Sequence, residues 1–502
     1  MAVRGDEPGT DPVMALPAFA VRPVAGVAGG VAAVLLLLSG RYGFHRDELY
    51  FRVAAQHLDW GYVDQPPLTP LLARVSTLFG DGPTALRVIP ALLTAAGIVL
   101  VALLAREFGS GRAGQLLAAC AAALSAYVLA VGHLLLTSTV DVLIWLAVCL
   151  AALRLLRTGE GRWWPVVGAC AGIGLQNKDL VLLLGAALVP AVLYTGPRQV
   201  LRGWWPVAGL LLASVIAAPN LWWQAAHGWP ELTVAGGISD QDGLDNRLMF
   251  VPMQILYLSP VLVSIWLAGF RRLRDDPALR WARAFGYAYP LLCLLVLASG
   301  GKPYYALPLL LVLTAAGCEP VVRRAWTPQR RRGFAAWLAF GAALNLVITL
   351  PVLPPRLIPT VNWIYREQGE QFGWPRLAAA AADGWRAVPP ELRSRTVVFA
   401  TNYGEAGALA EYGPGLGLPA PYSGHMSFAD WGPPPDSADG PVLLVHPDKY
   451  PAVEREFTGC RVVARVDNGA DVGNEEQHTP ILICTGTTAP WSQLWPRLRQ
   501  FY

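Results

Sequence analysis

Long apolar runs, separated by short polar segments, recur along the first 350 residues of the chain. Most of these runs approach the roughly 20 apolar residues that a helix needs to cross a bilayer. The window 165–177 is the shortest. If this window does not cross the membrane, every later span has the opposite orientation. The pattern predicts eleven transmembrane helices, in the windows 24–40, 85–105, 113–131, 137–156, 165–177, 179–195, 204–222, 248–270, 284–299, 304–321 and 334–351.

The pattern changes near residue 352, where apolar runs shorten to strand length between Gly- and Pro-rich turns. Four runs predict strands, at 396–400, 442–445, 461–466 and 481–484. We therefore expect a polytopic α-helical membrane protein with a small C-terminal α/β domain outside the cytoplasm. The predicted parts are an N-terminal tail 1–23, a transmembrane domain 24–351 with a first outer loop 41–84, and an α/β domain 352–502.

Composition agrees with a membrane protein, because 54% of the residues are hydrophobic and only 15% are charged. Such a chain is too apolar to cover a soluble globule with polar surface. The net charge of +4 is small, and the basic residues form no stripe with aromatics, which argues against a nucleic-acid partner. No Ala-x-Ala-like site follows the first apolar run, so we expect a retained first span and not a cleaved signal peptide.

Arginine distribution predicts the orientation, since basic residues concentrate in short cytoplasmic loops. Alternate loops near 106–112, 154–162, 198–202, 271–283 and 323–332 are rich in Arg, whereas the short loops between them hold only Lys178, Arg247 and Lys302. This places the N-terminus inside and the C-terminus outside. All seven histidines and the large segments 41–84, 223–247 and 352–502, expected to be non-helical, then fall on the outer side, where we expect function.

Five of the seven cysteines lie in apolar runs, while Cys460 and Cys484 lie in the C-terminal domain. The latter two suit either a disulfide, if that domain is outside, or buried strand thiols, and we favour the thiols. No Cys/His spacing indicates a metal, and we expect no cofactor. Acidic residues at 240–245 leave a divalent cation open, although solvated loops of this kind are commoner.

The first outer loop carries the strongest chemical signal. Asp47 and Glu48 directly follow the first predicted span, and adjacent carboxylates near a membrane are costly unless they are paired or used. The structural alternative is that they cap the next helix, whose dipole favours acidic residues at its start. Further along the loop comes Asp64-Gln65-Pro66-Pro67-Leu68.

An Asp-Glu pair followed by Tyr50, a Gly-Tyr step and a Pro-Pro-Leu element resembles the first outer loop of the dolichyl-phosphate-mannose protein mannosyltransferase superfamily, which includes bacterial aminoarabinose lipid A transferases. The similarity covers roughly residues 41–310 and continues in Thr137-Ser-Thr-Val-Asp141, Gly174-Leu-Gln-Asn-Lys178 and Lys302-Pro-Tyr-Tyr305. It implies a GT-C fold and inverting transfer of a sugar from a polyprenyl-phosphate donor to a hydroxyl acceptor in a cell-envelope glycan, lipid or protein.

The resemblance also implies residue roles. Asp47 would be the catalytic base, Glu48 would orient the site or the acceptor, and Asp141 would face the same cavity, unless Asp141 is simply a first-turn acid of its helix. Developing charge on a phosphate leaving group calls for fixed cations. The candidates are Lys178 and Lys302, with Arg46 and Arg247 as lesser ones. Snorkelling of Lys302 and an ion pair between Lys178 and Asp179 are the alternatives.

The candidate acceptor- or sugar-binding residues are polar or aromatic groups on predicted outer segments: His45, Tyr50, Asp64, Gln65, Tyr304, Tyr403, Glu405 and His425. Gln65 stands where some relatives have Lys, so one phosphate contact is missing. The tail residues also suit ordinary turns, and nothing supplies a nucleophile beside His425 and Asp430. A polytopic transporter or lipid flippase is the rival function, but ionisable residues gathered at one membrane face favour an enzyme.

Overall fold

The computed structural model describes residues 16–324, 327–445 and 451–502. Most of the predicted tail 1–23, together with His446 and Lys449, lies outside the described residues. Sixteen α-helices precede the C-terminal region, which we define as residues 352–502. They are α1 Val21–Leu38, α2 Arg46–Ala54, α3 Leu68–Ser76, α4 Pro83–Leu86, α5 Val88–Glu107, α6 Arg112–Leu124, α7 Ala126–His133, α8 Thr137–Thr158, α9 Trp163–Leu175, α10 Val181–Thr195, α11 Trp205–Ala226, α12 Pro230–Leu258, α13 Val263–Asp275, α14 Arg283–Ser299, α15 Leu307–Arg323 and α16 Pro328–Thr349.

Seven helices among the described residues are long and apolar enough to cross a membrane, or nine spans if each of two bent pairs counts as one. Every one of the eleven predicted windows coincides with one of these helices or pairs, or with the short apolar helices α9 and α10. The polytopic helical membrane class is confirmed. The number of spans stays a prediction.

Two predicted windows are broken helices and not single ones. α6 and α7 meet at 60°, and α12 meets the segment Pro260–Asp275 at 81°. The first break falls at Ser125, whose ψ of 128° is extended. The second falls at Ser259, which precedes Pro260; proline lacks an N–H group and disfavours the helical conformation of the residue before it.

The prediction that 223–247 is non-helical is wrong. α11 continues to Ala226 and α12 begins at Pro230, so only a short turn separates them. Gly228 and Trp229 in that turn have φ values of 77° and 59°, which end α11. Proline at the first helical position then favours a new helix. Hydropathy missed the first half of α12 because that half is polar.

α8 and the span Pro303–Arg323 form the centre of the helix bundle, with 83% and 89% of their apolar windows buried. Glycines permit the closest helix contacts, as is usual between membrane helices. A Cβ atom on Gly269 of α13 would lie 1.8 Å from the Leu313 carbonyl oxygen of α15, and one on Gly317 would lie 1.9 Å from the Ile265 carbonyl oxygen. A larger side chain at either position would therefore separate α13 from α15.

The C-terminal region contains α17 Pro359–Asn362, α18 Trp374–Arg386, α19 Tyr403–Tyr412, α20 Pro451–Glu454 and α21 Trp491–Leu498. Its strands are β1 Val397–Ala400, β2 Val442–Val445, β3 Phe457–Thr458, β4 Arg461–Arg465, β5 Pro480–Cys484 and β6 Gly486–Thr487. A four-stranded sheet has the order β1-β2-β5-β4, with β1 parallel to β2 and the other pairs antiparallel. The four predicted strands are confirmed as β1, β2, β4 and β5.

Cys460 and Cys484 form a disulfide at the edge of β4 and at the end of β5. The preference for two buried thiols was therefore wrong. Sequence could not decide between the two states because it does not give the pairing of β4 with β5, in which Arg461 lies opposite Ile483 and so brings the flanking cysteines together. The other five cysteines are free.

Candidate functional site

The short helix α2 places the adjacent carboxylates on different sides. His45 is its N-cap, and the His45 Nδ1 atom accepts a hydrogen bond from the Asp47 backbone N–H at 3.1 Å. The Glu48 carboxylate accepts from the His45 N–H at 2.9 Å, which completes a capping box. Helix capping was the structural alternative to a functional role for the acidic pair. Of the two residues, Glu48 has this capping role.

Glu48 is fully buried and forms an ion pair with Arg87, which is 1% exposed. The Arg87 Nε and Nη2 atoms donate to Glu48 at 3.0 and 2.7 Å, and the Leu135 N–H donates at 3.0 Å. Arg87 also donates to the Ser39 and Gly43 carbonyl oxygens. With every lone-pair direction used, Glu48 is suited to fix α2 against the helix bundle and not to contact a substrate.

Asp47 points the other way. Its side chain is only half-buried, and its Oδ1 atom accepts a hydrogen bond from the Tyr403 hydroxyl at 2.8 Å. Tyr403 is the first residue of α19 in the C-terminal region, 356 positions away in sequence. A half-exposed carboxylate with one oxygen held in place is a plausible proton acceptor in chemical terms.

Tyr50, on the same helix, donates a 2.6 Å hydrogen bond to the Asp64 Oδ1 atom. Burial raises the pKa of Asp64 to about 6, although the Tyr50 hydrogen bond lowers it. The charge of Asp47 raises this pKa and that of Lys178 lowers it, so both groups lie close to Asp64. Gln65 is 2% exposed, and within the described residues neither of its amide atoms has a hydrogen-bond partner. A buried unpaired amide is the kind of group that a ligand satisfies.

Lys178 lies between α9 and α10, with its Nζ atom 5.7 Å from the Tyr304 ring centre and 5.4 Å from that of Tyr305. Burial lowers the pKa of Lys178, but its neighbours Tyr304, Tyr305 and Asp141 outweigh burial and raise it. The lysine therefore stays charged. No ion pair with Asp179 is present; Asp179 instead shares a hydrogen bond with Glu231.

Lys302 and Asp141 lie near Lys178. The charge of Lys302 acts on Lys178, and the same two tyrosines lie beside both ammonium groups. Asp141 is in the second turn of α8, 4% exposed, and accepts a 3.1 Å hydrogen bond from the Trp145 Nε1 atom. It is therefore not a first-turn acid of α8. Two lysines, a buried carboxylate and two tyrosines form a cluster beside the first outer loop.

The two arginines proposed for phosphate binding have other partners. Arg46 contacts Glu475 at 3.1 Å and Glu370 at 3.6 Å, both in the C-terminal region. Arg247 donates to the Leu297 and Ala298 carbonyl oxygens at the end of α14. Arg46 is thus held by carboxylates, and Arg247 by backbone carbonyl groups.

The candidate residues in the C-terminal region have different contacts. Glu405 is fully buried and caps α19, accepting from the Thr401 and Asn402 backbone N–H groups. The His425 Nδ1 atom accepts from the Tyr403 N–H at 3.2 Å, which puts His425 next to the site. Asp430 forms an ion pair with Arg499 at 2.6 Å.

Sequence reasoning missed Arg87 and Glu367. The His45 Nε2 atom lies 2.8 Å from the Glu367 carboxylate, which therefore helps to hold the start of α2. Arg87 had one available signal, a lone charge at the edge of the apolar window 85–105. Glu367 had none, because its importance depends on a contact across 322 positions. No group of three or more His, Cys, Asp or Glu in the described ranges is arranged to hold a metal ion.

A cavity of about 580 Å³ lies next to the same loop. Its walls are mainly apolar residues of the first outer loop, α9 and α11, together with Asp59 and Gln176. Leu58, Trp60 and Leu71 on its rim are 44–56% exposed, as expected for a surface that meets lipid. Gln176 brings this apolar volume within two residues of Lys178.

We predict that Arg87→Ala destabilises the protein by about 3–5 kcal/mol, because Glu48 would remain buried without its counter-ion. Thermal unfolding of the purified protein, followed by size-exclusion chromatography, measures the effect. Asp439→Asn is the control, since it breaks the exposed Arg395–Asp439 pair, which solvent screens, and should leave the stability almost unchanged. Equal stability of Arg87→Ala and wild type would contradict the anchoring role of Glu48.

Comparisons with known proteins identify the fold. The sequence profile of the family described as dolichyl-phosphate-mannose-protein mannosyltransferase matches residues 64–223. A comparison with curated protein sequences gave no significant match. The structure of ArnT from Cupriavidus metallidurans bound to undecaprenyl phosphate has a TM-score of 0.59 at 17% identity, covering 91% of this chain and 97% of that chain.

The apo structure of the same ArnT gives 0.57 at 16% identity, with the same coverage of 91% and 97%. The arabinofuranosyltransferase AftD from Mycobacteria gives 0.48 at 16% identity, covering 92% of this chain and 40% of that chain. Over nearly its whole length, the chain therefore has the GT-C fold of ArnT, and its residues 64–223 match the mannosyltransferase profile.

Proposed function

We propose that this protein is a membrane glycosyltransferase that moves a sugar from a polyprenyl-phosphate donor to a hydroxyl acceptor outside the cytoplasm, with inversion at the anomeric carbon. The observation that carries the proposal is the placement of Asp47. It is a half-exposed carboxylate oriented by Tyr403, and its charge and that of Lys178 both act on Asp64. A base and a cation that both lie close to one residue, Asp64, are the kinds of group that transfer from a phosphate leaving group requires.

In the proposed reaction Asp47 takes the proton of the acceptor hydroxyl as its oxygen attacks the anomeric carbon. The bond from that carbon to the phosphate oxygen breaks, and the polyprenyl phosphate leaves with the electron pair. Lys178 and Lys302 stabilise the charge that develops on the phosphate. Glu48 acts on Asp47 only indirectly, through the position of α2.

Five further residues complete the proposed site. Asp141 lies near Lys178 and would hold the ammonium group toward the donor. The unpaired Gln65 amide and the Asp64–Tyr50 pair would bind sugar hydroxyls, which accept and donate hydrogen bonds as these groups do. Tyr304 would form an aromatic wall beside the phosphate.

A lipid-linked donor is supported by the apolar cavity of about 580 Å³, which ends near Lys178 and has room for part of an isoprenoid chain. The ArnT structure that shares this fold contains undecaprenyl phosphate. Two observations support a site outside the cytoplasm. Arginine is concentrated in the opposite loops, and the Cys460–Cys484 disulfide is typical of an oxidising compartment.

The reaction is tested with purified protein, radiolabelled polyprenyl-phosphate sugars and an extract of cell-envelope acceptors. Wild type should transfer the label, whereas Asp47→Asn should fold, bind the donor and turn over at least about 10²-fold more slowly, because the variant lacks a proton acceptor. Near-normal turnover by Asp47→Asn would refute the assignment of the base. Movement of labelled lipid across vesicle membranes without transfer would favour a flippase instead.

The lysine pair gives a separate prediction. Lys178→Ala and Lys302→Ala should each weaken use of the donor by about tenfold or more and leave the acceptor dependence unchanged, because the lysines contact only the phosphate. Steady-state kinetics with varied donor measures this effect. Arg162→Ala removes an exposed cation in a loop predicted to be cytoplasmic and serves as the control. Donor kinetics equal to wild type in both lysine variants would contradict phosphate binding and would favour lysines that only extend toward the membrane surface.

A further inference from the structure

Among the described residues, Tyr403 is the side chain that hydrogen-bonds the Asp47 carboxylate, and it belongs to the C-terminal region. We propose that this region completes the catalytic site, with Tyr403 as a positioning residue that orients Asp47. The inference rests on the proposed function, in which Asp47 is the general base.

The backbone of Tyr403 is fixed at the start of α19. Asn402 is the N-cap, and its side chain accepts from the Glu405 N–H at 2.9 Å, while Glu405 accepts from the Asn402 N–H in return. This capping box holds the first turn of the helix. The Tyr403 N–H donates to His425, which ties the same turn to a second segment of the C-terminal region.

The ring of Tyr403 is fixed as well. Its centre lies 5.2 Å from the Tyr50 ring and 5.3 Å from the His425 ring. The Arg46 guanidinium lies over the ring at 5.1 Å and is itself held by Glu475. The hydroxyl group therefore reaches Asp47 without freedom to swing away.

Two glycines allow α19 to approach α2 this closely. A Cβ atom on Gly407 would lie 2.9 Å from the Leu49 Cβ atom, and one on Gly404 would lie 3.2 Å from the Arg46 Cβ atom. A larger residue at 407 would push the helices apart and lengthen the Tyr403–Asp47 hydrogen bond. The two helices are thus close enough for the Tyr403 hydroxyl group to reach Asp47.

The hydrogen bond has a geometric consequence. It fixes one oxygen of Asp47 and leaves the other available to the acceptor hydroxyl. Without Tyr403 the carboxylate would be less well oriented.

Tyr403→Phe tests the proposal, because it keeps the ring contacts and removes only the hydroxyl. We expect kcat to fall about tenfold at neutral pH, with the donor KM unchanged. A general loss of structural support would instead change the donor KM or the thermal stability together with kcat.

Tyr422→Phe, which removes a hydroxyl elsewhere in the C-terminal region, is the matched control and should keep the wild-type kcat. In an Asp47→Asn background, Tyr403→Phe should have almost no further effect on kcat, since it acts through Asp47. A kcat of Tyr403→Phe equal to that of wild type, or full additivity with Asp47→Asn, would overturn the inference. If Asp47→Asn alone keeps normal turnover, the proposed function fails at its base, which is a distinguishable result.

Discussion

The buried ion pair between Glu48 and Arg87 is the interaction on which the rest of the site depends. Taking two charges out of water is costly, and such a pair is tolerated only where nearly every donor and acceptor is satisfied. Here Glu48 accepts four hydrogen bonds and Arg87 also binds two backbone carbonyl groups. The pair fixes α2, a helix of only nine residues that would not be stable alone.

Once α2 is fixed, the helical rotation of about 100° per residue separates the neighbouring carboxylates. Glu48 faces the helix bundle, and Asp47 faces Tyr403. One short helix thus joins the membrane part of the protein to the C-terminal region, through Glu48 on one side and through Arg46 and Asp47 on the other. This arrangement gives the acidic pair two roles, anchor and proposed base.

Local patterns in the sequence were sufficient for much of the fold. Apolar windows gave the positions of the membrane helices, and short apolar runs gave the four strands of the main sheet. The local patterns did not predict the bends at Ser125 and Ser259 or the polar half of α12. Turn geometry and packing determine these features, and average hydropathy does not report them. The disulfide was undecided because it depends on which strands pair.

The candidate site was predictable only in part. Motif resemblance selected Asp47, Lys178 and Lys302, and the structure places the two lysines in one cluster. It could not separate Asp47 from Glu48, because Arg87 lies 39 residues from Glu48 and Tyr403 lies 356 from Asp47. In the sequence, Arg46 and Arg247 could not be distinguished from the lysines, because all four side chains are cations. Only the tertiary structure places Arg46 beside glutamates and Arg247 beside backbone carbonyl groups.

The central claim is that Asp47 acts as a general base in a single displacement. The most direct test is the anomeric configuration of the sugar product, determined by NMR after reaction with a polyprenyl-phosphate donor of known configuration. Direct attack by an acceptor hydroxyl predicts a product of the opposite configuration. A product with the donor's configuration would contradict the account, because retention requires a covalent intermediate and so a carboxylate acting as a nucleophile.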